Sequence, residues 1–180
     1  MFVKVCGVKE FKHIDWAVEL GFHFVGIVLY AKSKRFVTYE KAKEMARYAK
    51  GRIKTVAVGV SYADVKNVAD CFDYIQVYEN VDVDNLIFAS CNKPENINFR
   101  YFLYDRSRGS GKFEDFPEWL KEYKDKLIVA GGLNFENVKG VIERFKPFGV
   151  DVSSGVENQY GEKDYMLMEK FIKNAKGGGI

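Results

Sequence analysis

The feature that most constrains this chain is an alternation of short apolar runs with helical stretches, repeated almost from end to end. FVKVC at Phe2–Cys6, FVGIVLY at Phe24–Tyr30, KTVAVGV at Lys54–Val60 and DYIQVY at Asp73–Tyr78 are β-rich. So are YFLYD at Tyr101–Asp105, LIVA at Leu127–Ala130 and GVDV at Gly149–Val152. Several are nearly continuous in apolar residues, as strands buried on both faces are. Between them, Phe11–Leu20 places Ile14, Ala17, Val18 and Leu20 at helical spacing and ends at Gly21. Thr38 caps a helix over Tyr39–Lys50, closed by Gly51. Tyr62–Cys71, Phe116–Tyr123, Phe135–Phe145 behind Asn134, and Lys163–Ala175 read as further helices. Such a chain builds a parallel α/β sheet, doubly wound or closed on itself. LIFASC at Leu86–Cys91 brings the strands to eight, which favours the (β/α)8 TIM barrel.

Length then becomes the difficulty. The 180 residues suffice for a single domain, read as a barrel over 1–176 with a glycine-rich tail, 177–180, that frays. Barrels of this class usually need ~200 residues or more. The shortage falls mainly within residues 77–104, which must hold strand five and both its connections. A parallel crossover takes about a dozen residues or more. The barrel is therefore expected to be shortened, with one helix around strand five missing or reduced to a loop. The fifth helix is the first candidate, because Pro94 and three asparagines between Cys91 and Phe99 read as loop. A lost helix would expose apolar surface that a second copy of the chain could cover, so a homodimer is an expectation.

Composition narrows the function classes. The net charge of +3 has no basic arm behind it, which suits a small anionic substrate and argues against nucleic acid. No run reaches the ~18 apolar residues of a membrane span, and no signal peptide is visible. Three cysteines, Cys6, Cys71 and Cys91, form no CxxC pair, which points to free thiols in a reducing cytoplasm. His13 and His23 each stand alone, without metal-ligand spacing, and read as helix or loop surface. No metal is expected.

In a parallel barrel the chemistry belongs at the C-terminal ends of the strands. There stand Cys6-Gly7, Ser33-Lys34-Arg35, Gln76-Val77-Tyr78-Glu79, Asp105 with the Arg108–Lys112 glycine loop, Gly131-Gly132 and Asp151-Val152-Ser153-Ser154-Gly155. Glycines directly after strands seven and eight permit close backbone approach, and helix N-termini nearby favour an anion. Together they read as a phosphate site, although each alone fits a tight turn. Cys6 fits a small buried hydrophobe or a base, and Asp105 a loop cap or an acid. Facing each other across the mouth, they would give one base and one acid. Arg35 is either a solvated charge or a fork for a carboxylate. Cys71 and Cys91 read as packing.

These residues resemble those of the phosphoribosylanthranilate isomerase family. VKVCGV at Val3–Val8 is similar to the family's start, SKR at Ser33–Arg35 to its Ser-x-Arg loop, and GSGK at Gly109–Lys112 to its glycine loop after strand six. Gly59-Val60 fits the end of its third strand, and AGGLNFENV at Ala130–Val138 and GVDVSSGVE at Gly149–Glu157 match closely. The resemblance implies a cofactor-free Amadori rearrangement in tryptophan biosynthesis, with Cys6 as base and Asp105 as acid. It implies that Arg35 holds the anthranilate carboxylate. Gly131, Gly132, Ser154 and Gly155 would hold the phosphate, and Asp151 would make a polar contact to substrate. One motif departs: Gln76-Val77-Tyr78-Glu79 stands where the family usually has Gln-Leu-His-Gly, so Tyr78 is given no catalytic role. Rival readings are a phosphosugar isomerase of broader range, which Cys6 disfavours because those enzymes usually carry aspartate there, and a metal-dependent epimerase, disfavoured by the scarcity of histidine. A barrel that binds phosphorylated ligands without turnover is the rival of another class.

Overall fold

A computed structural model describes residues 1–95, 97–106 and 115–177. Eight strands form a closed barrel in sequence order: β1 Phe2–Cys6, β2 Phe24–Val28, β3 Lys54–Val58, β4 Tyr74–Val77, β5 Leu86–Ser90, β6 Tyr101–Asp105, β7 Leu127–Ala130 and β8 Gly149–Val152. Every neighbouring pair is parallel, and β8 closes on β1 through Val3↔Val150 and Val5↔Val152. The helices are α1 Phe11–Leu20, α2 Tyr39–Ala49, α3 Tyr62–Val65, α4 Val138–Phe145 and α5 Tyr165–Ala175.

Strand parity sorts the side chains into two cores. Val3, Val5, Val25, Ile27, Phe102, Tyr104, Leu127 and Val129 face the helices. Phe24, Val28, Val56, Val58, Ile87, Ala89, Leu103, Ile128 and Ala130 fill the barrel. Aromatic rings close its N-terminal end: Phe2 lies 4.7 Å from both Phe24 and Phe148, and Tyr101 lies 4.8 Å from Phe148. Gly149 makes room for this plug, since a Cβ there would come within 2.8 Å of the Phe2 side chain.

The helix ends show how the sequence sets them. Gly21 closes α1 in the left-handed region at φ 79°. The Thr38 side chain accepts from Lys41 N at the start of α2, and Asp164 accepts from Leu167 N at the start of α5. Some boundaries differ from those read in the sequence. The stretch Tyr62–Cys71 is a single turn, α3, followed by a 3-10 turn at Ala69–Cys71, and Glu118–Tyr123 is a 3-10 helix. The side chains of Asn134 and Asn137 bond each other's backbone N–H, so the chain turns there and α4 begins only at Val138.

The shortening is larger than one helix. Among the described residues, neither 78–85 nor 91–100 forms a helix, so β5 lacks one on both sides. These connections are shorter than the usual helical crossover, and the chain passes over in extended loops. The outer face of β5 is nevertheless covered, contrary to the expected bare patch. Leu86 and Phe88 are buried, and Val81, Val83, Ile97, Phe99, Trp119 and Tyr123 pack over this side of the core. The loops thus supply the apolar cover that the helices would have given.

Candidate active site

The C-terminal mouth of the barrel opens into a cavity lined by Cys6, Arg35, Gln76, Tyr78, Asp105, Gly131, Gly132, Asp151, Ser153 and Ser154, among others. Parity explains the gathering: Cys6, Gln76, Asp105 and Asp151 all take inward positions on their strands. Of the eight residues given a catalytic or binding role from the sequence, seven line the cavity and Gly155 does not. A Cβ on Gly155 would overlap the Leu133 carbonyl oxygen, and Gly155 bridges to Asn134. It locks the loops after β7 and β8 together. The Arg108–Lys112 loop lies outside the described residues.

Cys6 ends β1 and is 8% exposed. Gly7 follows at φ 77°, and the chain turns away with Gly7 N donating to Gly26 O. Ser153 Oγ donates to Cys6 O at 3.0 Å, tying β8's loop to the thiol's backbone. Beneath the thiol lies Lys4, two residues back on the same inward row and 1% exposed. Its Nζ donates to Asp151 Oδ1 at 3.0 Å. Gly26 leaves the space for both groups: a Cβ there would lie 3.0 Å from Cys6 Sγ and 3.2 Å from Lys4 Nζ. Burial pushes the Cys6 thiol pKa up, with the Lys4 ammonium pulling against it. Burial lowers the Lys4 pKa, but Asp151 and Cys6 outweigh it and leave it raised. Lys4 is therefore a fixed cation beside the thiol.

Asp105 ends β6 with its side chain facing the same mouth. Tyr78 Oη donates to Asp105 Oδ2 at 2.8 Å. The phenol is buried next to a carboxylate, and both influences push its pKa up, so it stays an O–H donor.

Arg35 is held in place by a buried acid. Its Nε donates to Glu157 Oε1 at 2.6 Å and its Nη2 to Glu157 Oε2 at 2.9 Å, a two-pronged grip. Lys163 Nζ donates to Glu157 Oε1 at 2.9 Å and to Ser153 O at 3.0 Å. Glu157 is buried, yet Arg35 and Lys163 hold its pKa at about 2. The Arg35 stem lies on Gly7, where a Cβ would overlap its Cδ. Among the described residues, Arg35 Nη1 donates to no group.

The glycines after β7 have positive φ, 96° at Gly131 and 70° at Gly132. Residues with a side chain rarely adopt this, and the Gly132 carbonyl accepts from Asn137 Nδ2 at 3.0 Å. Among the described residues, the backbone N–H groups of Gly132 and Ser154 make no hydrogen bond. Two unpaired donors on facing loops at a cavity wall form an anion cradle. Gln76 adds a buried acceptor, Oε1, that also has no partner among the described residues.

The sequence reading missed Lys4, Glu157, Lys163 and the contact of Tyr78. Lys4 had a signal, because VKVC places it on the same side of β1 as Cys6. The histidine reading needs a correction too. His13 is fully buried, taking a hydrogen bond from Lys9 N, and burial lowers its pKa to about 4. It belongs to the inner face of α1 with Ile14 and Ala17. No group of three His, Cys, Asp or Glu side chains among the described residues is placed to hold a metal, and no helix there is long and apolar enough to cross a membrane.

Comparison with known proteins now decides the family. The family model for N-(5'-phosphoribosyl)anthranilate isomerase matches residues 81–174. A relative from Listeria welshimeri, an N-(5'-phosphoribosyl)anthranilate isomerase, is 40% identical over 98% of this chain and 99% of its own. The chain belongs to the phosphoribosylanthranilate isomerase family. The alignment with that relative runs over 204 positions against 180 residues here, in keeping with a shortened member of the family. The dimeric Thermotoga maritima phosphoribosylanthranilate isomerase, in a monomeric form, superposes with a TM-score of 0.79 at 30% identity, covering 98% of this chain and 99% of that one. A phosphoribosylanthranilate isomerase in complex with reduced 1-(o-carboxyphenylamino)-1-deoxyribulose 5-phosphate matches with a TM-score of 0.78 at 31% identity and the same coverage.

Proposed function

We propose that this protein isomerises N-(5-phosphoribosyl)anthranilate to 1-(2-carboxyphenylamino)-1-deoxyribulose 5-phosphate, an aldose–ketose rearrangement in the cytoplasmic synthesis of tryptophan. The observation that carries the reading is the convergence of one thiol, one carboxyl, one arginine and an anion cradle on a single barrel mouth. Each matches one demand of this substrate, which bears a phosphate, an aryl carboxylate and a ring to be opened.

The phosphate is held by the backbone at Gly131, Gly132 and Ser154, with Gly155 fixing the two loops against each other. Arg35 meets the anthranilate carboxylate with the donors Glu157 leaves over. Asp105 gives its proton to the furanose oxygen, the C1–O bond breaks, and the nitrogen lone pair forms the iminium. The Cys6 thiolate removes the proton from ribose C2, and the electron pair flows to the iminium nitrogen, giving the enolamine. Tautomerisation then yields the ketone. Lys4 stabilises the thiolate, and Asp151 holds Lys4 while presenting its own carboxylate to the substrate. The oxidation of C2 to the ketone is balanced by the reduction of C1 within the same molecule, so the sequence draws on no outside oxidant, reductant or cofactor. General acid and general base steps each contribute ~10²–10⁴-fold.

The loss of anthranilate-type fluorescence on adding the phosphoribosyl substrate tests this reading. Turnover supports it. Binding of the reduced product analogue without turnover would instead favour a phosphosugar-binding barrel. The dimer named for the Thermotoga maritima relative makes a homodimer the assembly to test by sedimentation. Its seam would not be the outer face of β5, which the chain's own loops cover.

A further inference from the structure

Strand β4 carries a group that the family's usual pattern does not have. Tyr78 follows the last residue of β4 on the same inward row as Gln76, and its backbone N donates to Val60 O at 3.1 Å. To reach β6 its ring must cross in front of β5. Val77 pairs with Phe88, so the next position of β5, level with Tyr78, is Ala89. That small side chain lies in the barrel core against which Tyr78 packs. The Tyr78 hydroxyl then ends 2.8 Å from Asp105 Oδ2. A larger residue at 89 would stand in the ring's way.

We propose that Tyr78 is a positioning residue for Asp105: its O–H fixes the carboxyl at the barrel mouth and stabilises the carboxylate left when Asp105 gives up its proton. This rests on the role of Asp105 as general acid in the reading above. The balance is simple. Asp105 loses a proton to the substrate oxygen and becomes charged, while the Tyr78 hydrogen bond to Oδ2 changes from neutral to charge-assisted and strengthens. Tyr78 keeps its own proton throughout. An interaction that strengthens as charge develops lowers the barrier and leaves substrate binding nearly unchanged. The hydroxyl thus does work at this point of the barrel where the family usually has a histidine. Among the described residues, the other titratable groups lining the mouth include Cys6 of β1, Asp151 of β8, Tyr30 and Arg35, with Lys4 and Lys163 behind them.

The test is Tyr78→Phe, which keeps the ring and deletes only the oxygen. The expected result is a fall in kcat of roughly 10-fold or more, from a lost hydrogen bond to a charged group, with KM within about twofold. In the same variant the carboxyl carbon NMR resonance of Asp105 shifts at fixed pH, because the donor to Oδ2 is gone. Tyr78→His, which keeps a donor at this point, is expected to recover part of kcat. An unchanged Asp105 carboxyl resonance in Tyr78→Phe, or a kcat within twofold of wild type, overturns the proposal. Should Tyr78→Phe fold poorly, a Tyr78→His protein that is folded yet no more active than Asp105→Asn overturns it as well. The NMR resonance reads the contact even if the protein turned over nothing, so failure here is separable from failure of the proposed function.

Discussion

Lys4 and Asp151 form an ion pair inside the barrel, 3.0 Å from Nζ to Oδ1, with side chains 1% and 8% exposed. They lie at opposite ends of the sequence and meet because β8 closes on β1, where the two residues are register partners. A buried cation is costly unless its partner is fixed, so the closure of the barrel and the electrostatics of the thiol above it depend on each other.

Removing one member should therefore do more harm than removing both. Lys4→Met leaves Asp151 as a buried, unpaired acid and is expected to destabilise the fold by about 3–5 kcal/mol. The double variant Lys4→Met/Asp151→Leu should recover most of that loss without recovering activity, since no cation remains for the thiolate. Urea midpoints for the three proteins check the stability order, and kcat/KM checks the second half.

Arg35 should not be replaceable by lysine. Its fork grips Glu157 with two parallel bonds and still has donors for a ligand carboxylate. An ammonium cannot do both in the same plane. Arg35→Lys is expected to raise KM roughly 10-fold or more, as expected from the loss of a charge-assisted bond, with a smaller effect on kcat. Steady-state kinetics at constant ionic strength decides it.

Glu157 makes acid sensitivity specific. Its pKa falls from the ordinary 4.5 to about 2 in the folded protein. A carboxyl depressed on folding adds stability that is fully present above its unfolded pKa and is lost as pH falls towards the folded one. The window is thus from roughly pH 4.5 down to about 2. Glu157→Gln should be less stable than wild type at pH 7 and should lose less on acidification through that window. Thermal midpoints measured at several pH values give both slopes.

Much of the site was legible because strands impose a period of two and the barrel puts its chemistry at strand ends. Cys6, Arg35, Asp105, Gly131, Gly132, Asp151 and Ser154 could be singled out that way, and they line one cavity. What escaped depends on pairing across long sequence distances. Nothing local in VKVC says that Lys4 meets Asp151, and nothing in VSSGVE says that Glu157 reaches back to Arg35. Tyr78 was passed over because it differs from the family's histidine, whereas its parity with Gln76 already aimed it inward. The arithmetic of residues 77–104 located the shortening correctly but undercounted it. It allowed one connection to lose its helix, while Val81, Val83, Ile97 and Phe99 show that loops on both sides of β5 can supply the apolar cover.

The most direct test of the central claim, that one thiol and one carboxyl across the barrel mouth are base and acid, is the turnover number of Cys6→Ala and of Asp105→Asn with the phosphoribosyl substrate. The account predicts that each loses ~10²–10⁴-fold in kcat while still binding the reduced product analogue and keeping the wild-type circular dichroism spectrum. Folded variants that retain full turnover would contradict it.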